Sequence, residues 1–337
     1  MALVQDMFSG PLDVIGDVHG ESGTLCKLLD RLGYDGNGKH PEGRRLIFVG
    51  DLIDRGPDSP GVVRLVRHLI SQGNAQCILG NHEINILRGE KKHGNHWFYG
   101  EPEVIRKDKA AVSFQVLADT AFRTEVQDFF GTLPLVLVRE DLAVVHACWD
   151  AAAVEKLRAF EGSVTEAFDT FAREVQDTIK KDSITDQDEV DLLEQNMNPV
   201  KVLSSGKEAR AAEPFFAGGK MRNLERAKWW EDHKPDDDRL IIIGHYWRRF
   251  MDEVFPEVHA RHPDGFNPTG ADMFPNNGRH ELLGPSKKVM CIDYAAGVRY
   301  EERGMGLRES ALGTHLAALR LPEMRIHLED GRVLDCC

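Results

Sequence analysis

Over roughly the first ninety residues, short continuous apolar runs alternate with runs in which apolar residues recur at helical spacing. Residues 12–15 form a β-rich run closed by Gly16. Residues 21–32 then carry Leu25, Leu28, Leu29 and Leu32 on one helical face, with Gly33 as a stop signal. Residues 46–49 predict a second strand. Beyond Asp51 to Gly56, Ser59 and Pro60 read as an N-cap and first helical position. Val62, Val63, Leu65, Val66, Leu69 and Ile70 supply the buried face of a second helix. Residues 77–79 predict a third strand, and a third helix starts at Asn81. Strand, loop and helix repeated three times predict an α/β fold with parallel crossovers.

Further along, residues 135–138 and 142–145 flank Arg139-Glu140-Asp141 and predict a hairpin that ends at His146. Residues 151–196 are polar and helical in pattern, with Phe160, Phe168, Phe171 and Val175 as the inner face. The whole stretch of about 151–238 reads as a mostly helical insertion or cap. Residues 240–243 form another strand, ending in Gly244-His245. Residues 255–285, rich in Pro, Gly, Asn and His, read as loop, and 289–292, 316–321 and 324–328 as closing strands. With no internal repeat and no long linker, residues 1–337 read as a single domain.

A chain of 337 residues, 42% of them hydrophobic, can bury a substantial core. Its net charge of −13 argues against nonspecific nucleic-acid binding, which gains from counterion release only where the protein is basic. A local basic pocket remains compatible with that charge. The six cysteines show no CxxC spacing, so neither a zinc knuckle nor a disulfide framework is indicated. Buried thiols in a reducing compartment are the plainer reading. The start lacks a basic segment followed by an apolar one, and no apolar stretch approaches the ~20 residues that span a bilayer. The expectation is a cytoplasmic protein with no membrane partner and an open oligomeric state.

Ligands gather at the carboxyl ends of parallel strands. Three polar blocks sit there: Asp17-Val18-His19-Gly20, the stretch from Gly50 to Gly56, and Gly80-Asn81-His82-Glu83. Asp17 and His19, two apart in extended geometry, can point into one site. Asp51 can bridge two cations through its two oxygens. Asn81 offers a neutral oxygen, and His146 and His245 offer ring nitrogens from two more strand ends. Nitrogen and oxygen ligands without thiolate suit manganese, iron or zinc rather than copper or calcium. Two such ions share a water, lower its pKa and neutralise phosphoryl oxygens during in-line displacement. His82 can protonate the leaving oxygen with Asp54 orienting its ring, and the planar fork of Arg55 can grip two phosphoryl oxygens.

Taken singly, each of these residues has a plain structural explanation. Asp51 and Asp54 suit a turn, Asn81 suits a helix cap, and His146 and His245 suit a core. What they do not explain is the recurrence of such residues at five strand ends in chain order.

The series GDVHG, GDLIDRG and GNHE, followed by His146 and Gly244-His245, resembles the calcineurin-like metallophosphoesterases. Within them it is similar to the phosphoprotein phosphatase branch, which includes bacterial phosphatases and symmetrical diadenosine tetraphosphate hydrolases. The resemblance covers residues 12–146 closely and 240–300 more loosely. It implies a β-sandwich flanked by helices, with two divalent metal ions at the loop edge, most simply Mn2+, with Fe or Zn also acceptable. On that pattern Asp17, His19 and Asp51 would hold the first ion; Asp51, Asn81, His146 and His245 would hold the second. His82 with Asp54 would be the acid pair and Arg55 a phosphate contact, with Asn81 also beside the substrate.

The leading expectation is a phosphomonoesterase of Ser/Thr phosphatase type, acting on a phosphoprotein or small phosphate ester. Departures from the phosphatase pattern favour an alternative, a dinucleotide polyphosphate hydrolase: His146 is followed by Ala147-Cys148-Trp149 rather than two glycines, and His245 by Tyr246-Trp247 rather than Thr-Pro. Asp54 weighs the other way. A catalytically silent scaffold is a third reading, disfavoured because no ligand position is missing. Trp149, Tyr246 and Trp247 either stack on a nucleobase or phenyl ring, or pack in the core. Arg222, Arg248 and Arg299 are candidates for a second phosphate-binding arginine. Lys91-Lys92-His93 and His96-Trp97 are candidates for a wall of the substrate entrance, and the acidic stretch 182–194 reads as a solvated helix face.

Overall fold

The computed structural model describes residues 2–102, 104–106, 111–112, 114–217, 220–234, 238–248, 273–274, 277–304 and 312–336. Its strands are β1 (Val4–Asp6), β2 (Leu12–Ile15), β3 (Arg45–Phe48), β4 (Ala75–Cys77), β5 (Val104–Arg106), β6 (Ala111–Val112), β7 (Val136–Val138) and β8 (Leu142–Val145). They continue as β9 (Glu208–Ala217), β10 (Lys220–Arg226), β11 (Leu240–Ile243), β12 (Val289–Cys291), β13 (Ala317–Leu321), β14 (Arg325–Leu328) and β15 (Val333–Asp335). The helices are α1 (Ser22–Leu32), α2 (Ser59–Ser71), α3 (Asn81–Leu87), α4 (Thr120–Phe130), α5 (Ala151–Arg158), α6 (Val164–Lys181), α7 (Gln187–Asn196), α8 (Pro199–Ser205), α9 (Trp229–Asp232) and α10 (Arg299–Gly304).

Two mixed sheets face each other. One runs β15-β14-β13-β2-β3-β4, the other β1-β7-β8-β11-β12. Strands β2, β3, β7, β8, β11 and β12 are buried along nearly their whole length because both of their faces are covered. Leu12, Val14, Ile47, Leu137, Leu142, Val144, Ile242 and Met290 pack together between the sheets. Their strand neighbours Ile15, Leu46, Phe48, Val136, Val145 and Ile243 belong to a second core that includes the helices. The period of two thus sorts each strand into a sheet-facing and a helix-facing half. This is the sandwich flanked by helices that the resemblance implied.

The β2–β3–β4 crossovers are parallel, as the pattern predicts. Gly33, in the left-handed region at φ 94°, closes α1. The start of α2 differs from expectation. Asp58 is the cap, its carboxylate accepting the Gly61 N–H at 2.8 Å, and Pro60 occupies the second helical position. The Ser59 hydroxyl instead accepts the Asp54 N–H at 2.9 Å. Strand β4 ends at Cys77, so Ile78 and Leu79 belong to the loop that delivers Asn81. Neither β1 nor β15 was expected.

Between β8 and β11 lies the insertion. α5, α6 and α7 each pack on α8, and α6 turns Phe171, Val175 and Ile179 inward. Each such side chain contributes about 1.5–3 kcal/mol when fully buried. Phe160 and Phe168 lie partly buried against the core. Beside these helices the same stretch carries a long antiparallel hairpin of β9 and β10. α7 buries no residue fully, and its acidic end is not simply solvated. Arg210 of β9 reaches Asp186 at 2.7 Å and Glu189 at 3.3 Å, tying helix to hairpin. Most of the loop expected over 255–285 lies outside the described residues.

Candidate metal centre

Loops leave β2, β3, β4, β8, β11 and β12 at one edge of the sandwich, carrying Asp17 and His19, Asp51, Asn81, His146, His245 and Asp293 respectively. The backbone there is strained. His19 (φ 46°), Asp51 (46°), Asp54 (75°), Arg55 (66°) and His245 (63°) all lie at positive φ. For residues with a Cβ this costs on the order of 1–3 kcal/mol each, so the surroundings must hold the shape. His19 N–H donates to Asp51 O at 2.9 Å, Gly56 N–H to His19 O at 3.0 Å, and Arg55 N–H to Gly94 O at 3.2 Å. Glycine is required at two close approaches. A Cβ on Gly80 would collide with Asp51 Oδ1, and one on Gly244 with Asp17 Oδ1.

Asp51 stands at the middle. Its Oδ2 lies 3.2 Å from His146 Nε2, 3.7 Å from His19 Nε2 and 3.9 Å from His82 Nε2. Its Oδ1 accepts the His82 N–H at 3.0 Å. Asp17 Oδ2 accepts the His245 N–H at 3.1 Å, and His245 Nδ1 lies 3.0 Å from Asn81 Oδ1. Two groups of side chains have ligand atoms close enough to share an ion: His19, Asp51 and His82, and Asp51, His146 and His245. Asp51 belongs to both. The five residues of these two groups are buried.

The donor set fits two cations. Asp17 Oδ1, His146 Nε2 and His245 Nε2 are buried without a hydrogen-bond partner among the described residues. His146 Nε2 and Asp51 Oδ2 approach each other without hydrogen-bond alignment, as atoms aimed at a common third one do. Buried polar atoms left unpaired are costly, and cations would satisfy them. His146 and His19 hold their rings by Nδ1, against Val49 O at 2.7 Å and Ile53 O at 2.9 Å, which leaves Nε2 of each for a ligand.

Charge at the centre points the same way. Burial, with Asp293 and Asp51 alongside, raises the Asp17 pKa well above the usual carboxylate range. Burial also opposes ionisation of Asp51, but the rings of His146, His82 and His19 outweigh it and hold that carboxyl well below its ordinary value. His146 is pushed up to about 10, burial being overcome by Asp51 and Asp17. His19 and His245 are driven down by burial and by Arg55 and Arg226 respectively. Buried carboxylates that cling to a histidine proton in this way need positive charge nearby.

His82 Nδ1 pairs with Asp54 Oδ2 at 2.6 Å. Burial lowers the His82 pKa, but Asp51 and the Asp54 bond raise it above its ordinary value overall. Arg55 lies between the two rings, its Nη1 3.5 Å from His19 Nε2 and its Nη2 3.3 Å from His82 Nε2. Trp247 is half-buried, and its ring centre lies 5.1 Å from the Arg55 guanidinium carbon.

Other expected residues lie elsewhere. Tyr246 is fully buried, edge-on to Trp230 at 5.1 Å, so it fills core rather than lining the cleft. Trp149 packs partly buried on the core, with Arg239 5.7 Å from its ring. Arg248 donates to the carbonyls of Cys291, Gly278 and Glu281, and Arg299 to Thr24 and Glu329; both are committed to holding the fold. Arg222 is exposed on β10. Lys91 and Lys92 pair with Glu101 and Glu90. Trp97 is no entrance wall: it is completely buried and donates to Asp54.

Three residues join the site beyond those the sequence assigned to it: Asp293 and Arg226, which it did not single out, and Trp97, which it placed at the substrate entrance. Asp293, fully buried at the end of β12, has its pKa raised to about 6 by burial and Asp51. The signal for it was available, since it follows an apolar strand just as His146 and His245 do. Trp97, which donates to Asp54, gave no sequence signal for that role. Nor did Arg226. Its guanidinium reaches His245 O at 3.4 Å, and burial together with the Arg55 charge lowers its pKa. By surface area its side chain is exposed.

Known proteins share parts of this chain. It is 36% identical over 144 residues to the asymmetrical bis(5'-nucleosyl)-tetraphosphatase PrpE of Halalkalibacterium halodurans, covering 40% of this chain and 56% of that protein. It is 31% identical over 177 residues to a symmetrical bis(5'-nucleosyl)-tetraphosphatase of Marinomonas, covering 51% and 52%. The chain thus spans about half the length of these relatives. A protein serine/threonine phosphatase of Saccharomyces cerevisiae has a similar fold, with TM-score 0.50 and 13% identity over 99% of this chain and 84% of that one. A cold-active protein-tyrosine phosphatase from Shewanella matches with TM-score 0.50 and 14% identity over 98% and 81%. At such identities the likeness is one of fold. The sequence profile described as calcineurin-like phosphoesterase matches residues 10–263, and the chain belongs to that family of phosphate-ester hydrolases.

Proposed function

We propose that this protein hydrolyses dinucleoside polyphosphates at a two-cation centre. The observation that carries the chemistry is the position of Asp51, shared by two groups of potential ligands. The substrate class rests on the relatives, which are named as bis(5'-nucleosyl)-tetraphosphatases. In this reading Asp17, His19 and Asp51 hold one ion, and Asp51, Asn81, His146 and His245 hold the other. Manganese suits these nitrogen and oxygen donors. When bound, the pair lowers the pKa of a water and neutralises charge on the phosphoryl group.

The chain's own residues do the rest. Arg55 and Arg226 grip non-bridging phosphoryl oxygens from two sides of the cleft. A water oxygen bonds to phosphorus and gives up a proton to solvent as the bond from phosphorus to the leaving oxygen breaks with its electron pair on that oxygen. His82 Nε2–H supplies the leaving oxygen's proton and is reprotonated from solvent. Asp54, bonded to His82 Nδ1, fixes the ring and stabilises its charged form. Trp247, beside Arg55, offers a stacking face for a nucleobase.

One observation favours a second reading, hydrolysis of phosphate monoesters. A buried histidine–aspartate acid pair matters most where the leaving group is a poor one such as an alkoxide, as in a Ser or Thr phosphate. Manganese-loaded protein should be offered diadenosine tetraphosphate, a phosphoserine peptide and p-nitrophenyl phosphate. Preference for the dinucleotide, with nucleotide products, supports the first reading; preference for the peptide overturns it in favour of the second. Activity indifferent to chelation would overturn both.

A further inference from the structure

We infer that Trp97 is a positioning residue for the acid pair, locking the Asp54 carboxylate so that His82 is held at the angle needed to deliver its proton. The inference rests on the proposed role of His82 and Asp54. Asp54 is completely buried, and each of its oxygens has one directed partner. Oδ2 meets His82 Nδ1 at 2.6 Å, and Oδ1 accepts the indole N–H of Trp97 at 2.7 Å. A carboxylate held only by the histidine could swing about its Cα–Cβ and Cβ–Cγ bonds. A second bond on the other oxygen fixes the carboxylate plane, and the His82 ring follows it.

The indole is itself immobilised. Trp97 is fully buried in a 3₁₀ turn over His96–Tyr99, its carbonyl accepts the Ala118 N–H at 2.9 Å, and Phe98 stands edge-on at 5.8 Å. The same segment holds Arg55, because Gly94 O accepts the Arg55 N–H at 3.2 Å. Gly94 lies at φ 92°, where a Cβ would come within 3.1 Å of Arg55 Cγ and 3.4 Å of Asp54 Cβ. Residues 94–97 therefore brace two neighbouring groups at once, Arg55 through its backbone and Asp54 through its side chain. Both lie at positive φ, a conformation that needs outside support. An indole suits the task better than a serine or lysine, since it offers a single rigid donor and nothing that competes for the proton.

The test is the dependence of rate on the leaving group. Trp97→Phe keeps the ring and removes the N–H. Incorporating benzothienylalanine at the same position removes it with almost no change of shape, which covers the case where the phenylalanine variant folds poorly. Each, with Asp54→Asn for comparison, should be assayed on aryl phosphates and aryl esters of nucleoside phosphates whose phenols range from strongly to weakly acidic. For the least acidic phenol kcat should fall about ten- to a hundred-fold, and for the most acidic by less than about two-fold, with KM unchanged. Trp97→Phe added to Asp54→Asn should cost nothing further, because the two act through one ring. A uniform loss across all leaving groups, or additive losses in the double variant, would overturn the inference. If Asp54→Asn itself shows no leaving-group dependence, the acid-pair reading falls first and the role of Trp97 falls with it. If Asp54→Asn shows the dependence and the Trp97 variants do not, only the positioning role is lost.

Discussion

The carboxylate of Glu83 accepts the backbone N–H of Asp51 at 2.9 Å. The same oxygen, Oε2, also accepts the Gly80 N–H at 2.8 Å, and Oε1 takes the Leu52 N–H at 2.8 Å. One side chain on α3 thus ties the loop after β3 to the loop after β4. Glu83 is fully buried, and burial with the nearby Asp51 charge raises its pKa to about 7. The backbone that presents the shared carboxylate is set by a residue that need never touch a metal.

Glu83→Gln turns an acceptor toward donors that an amide NH2 cannot satisfy. Denaturant unfolding should show a loss of about 1–3 kcal/mol. Manganese affinity, measured by titration calorimetry, should weaken by about ten-fold or more because Asp51 is no longer held. A variant with wild-type affinity would mean that the Asp51 loop keeps its shape unaided.

Asp51→Asn keeps the size of the side chain and halves its ability to serve two cations. Metal analysis after dialysis should find fewer than two ions per chain, and turnover should collapse on every substrate alike. Loss confined to one substrate class would place Asp51 outside the shared chemistry.

The parallel core and its three polar loops were legible because local signals coincide there: apolar strand, glycine turn, helical spacing. His146 and His245 were legible for the same reason, each ending a strand on its own apolar run. The hairpin β9–β10 was not, since apart from Met221 opposite Phe216 its pairs set charged residues against alanine, phenylalanine, leucine or another charge, and its register breaks between Arg222 and Leu224. With the hairpin went Arg226, whose relation to Arg55 exists only in three dimensions. Trp97 was misread because its indole lies forty-three positions from the carboxylate it holds. Tyr246 was offered as a contact by its neighbour in sequence, yet backbone direction after His245 sends it into the core.

Gly244→Ala tests how closely the backbone must approach Asp17. The added methyl would strike Asp17 Oδ1 and come within 2.9 Å of Val49 Cγ2. Overpacking of this kind costs about 1–3 kcal/mol. Asp17 must turn to make room, so metal affinity should fall more than thermal stability in chelator does. Equal affinity in variant and wild type would place Asp17 outside the ligand set.

Trp247→Ala separates nucleotide binding from phosphate chemistry. Stacking on a base is worth about 1–3 kcal/mol, so KM for a dinucleotide should rise about ten-fold. Steady-state kinetics with p-nitrophenyl phosphate should show little change. If both substrates suffer equally, Trp247 serves to hold Arg55 rather than to meet a base.

Stability and metal binding should respond to pH in opposite directions. The His146 pKa in the folded protein, about 10, lies above the ordinary value of about 6.5. In metal-free protein its stabilising contribution is therefore complete below about pH 6.5 and is lost as pH rises through 10. Asp293 and Glu83, raised to about 6 and about 7, act with the same sign, and their contributions fade as pH rises through those values. Melting temperature in EDTA should accordingly fall between pH 6.5 and 9. A cation at His146 must displace the proton held there, so manganese affinity should climb by up to ten-fold per pH unit over the same interval. The gap in melting temperature between manganese-loaded and EDTA-treated protein should then widen with pH. A metal-free protein whose melting temperature is flat or rising across that interval would show that the buried carboxylates do not hold a proton on His146, and that the charge deficit argued for two cations is smaller than the geometry implies.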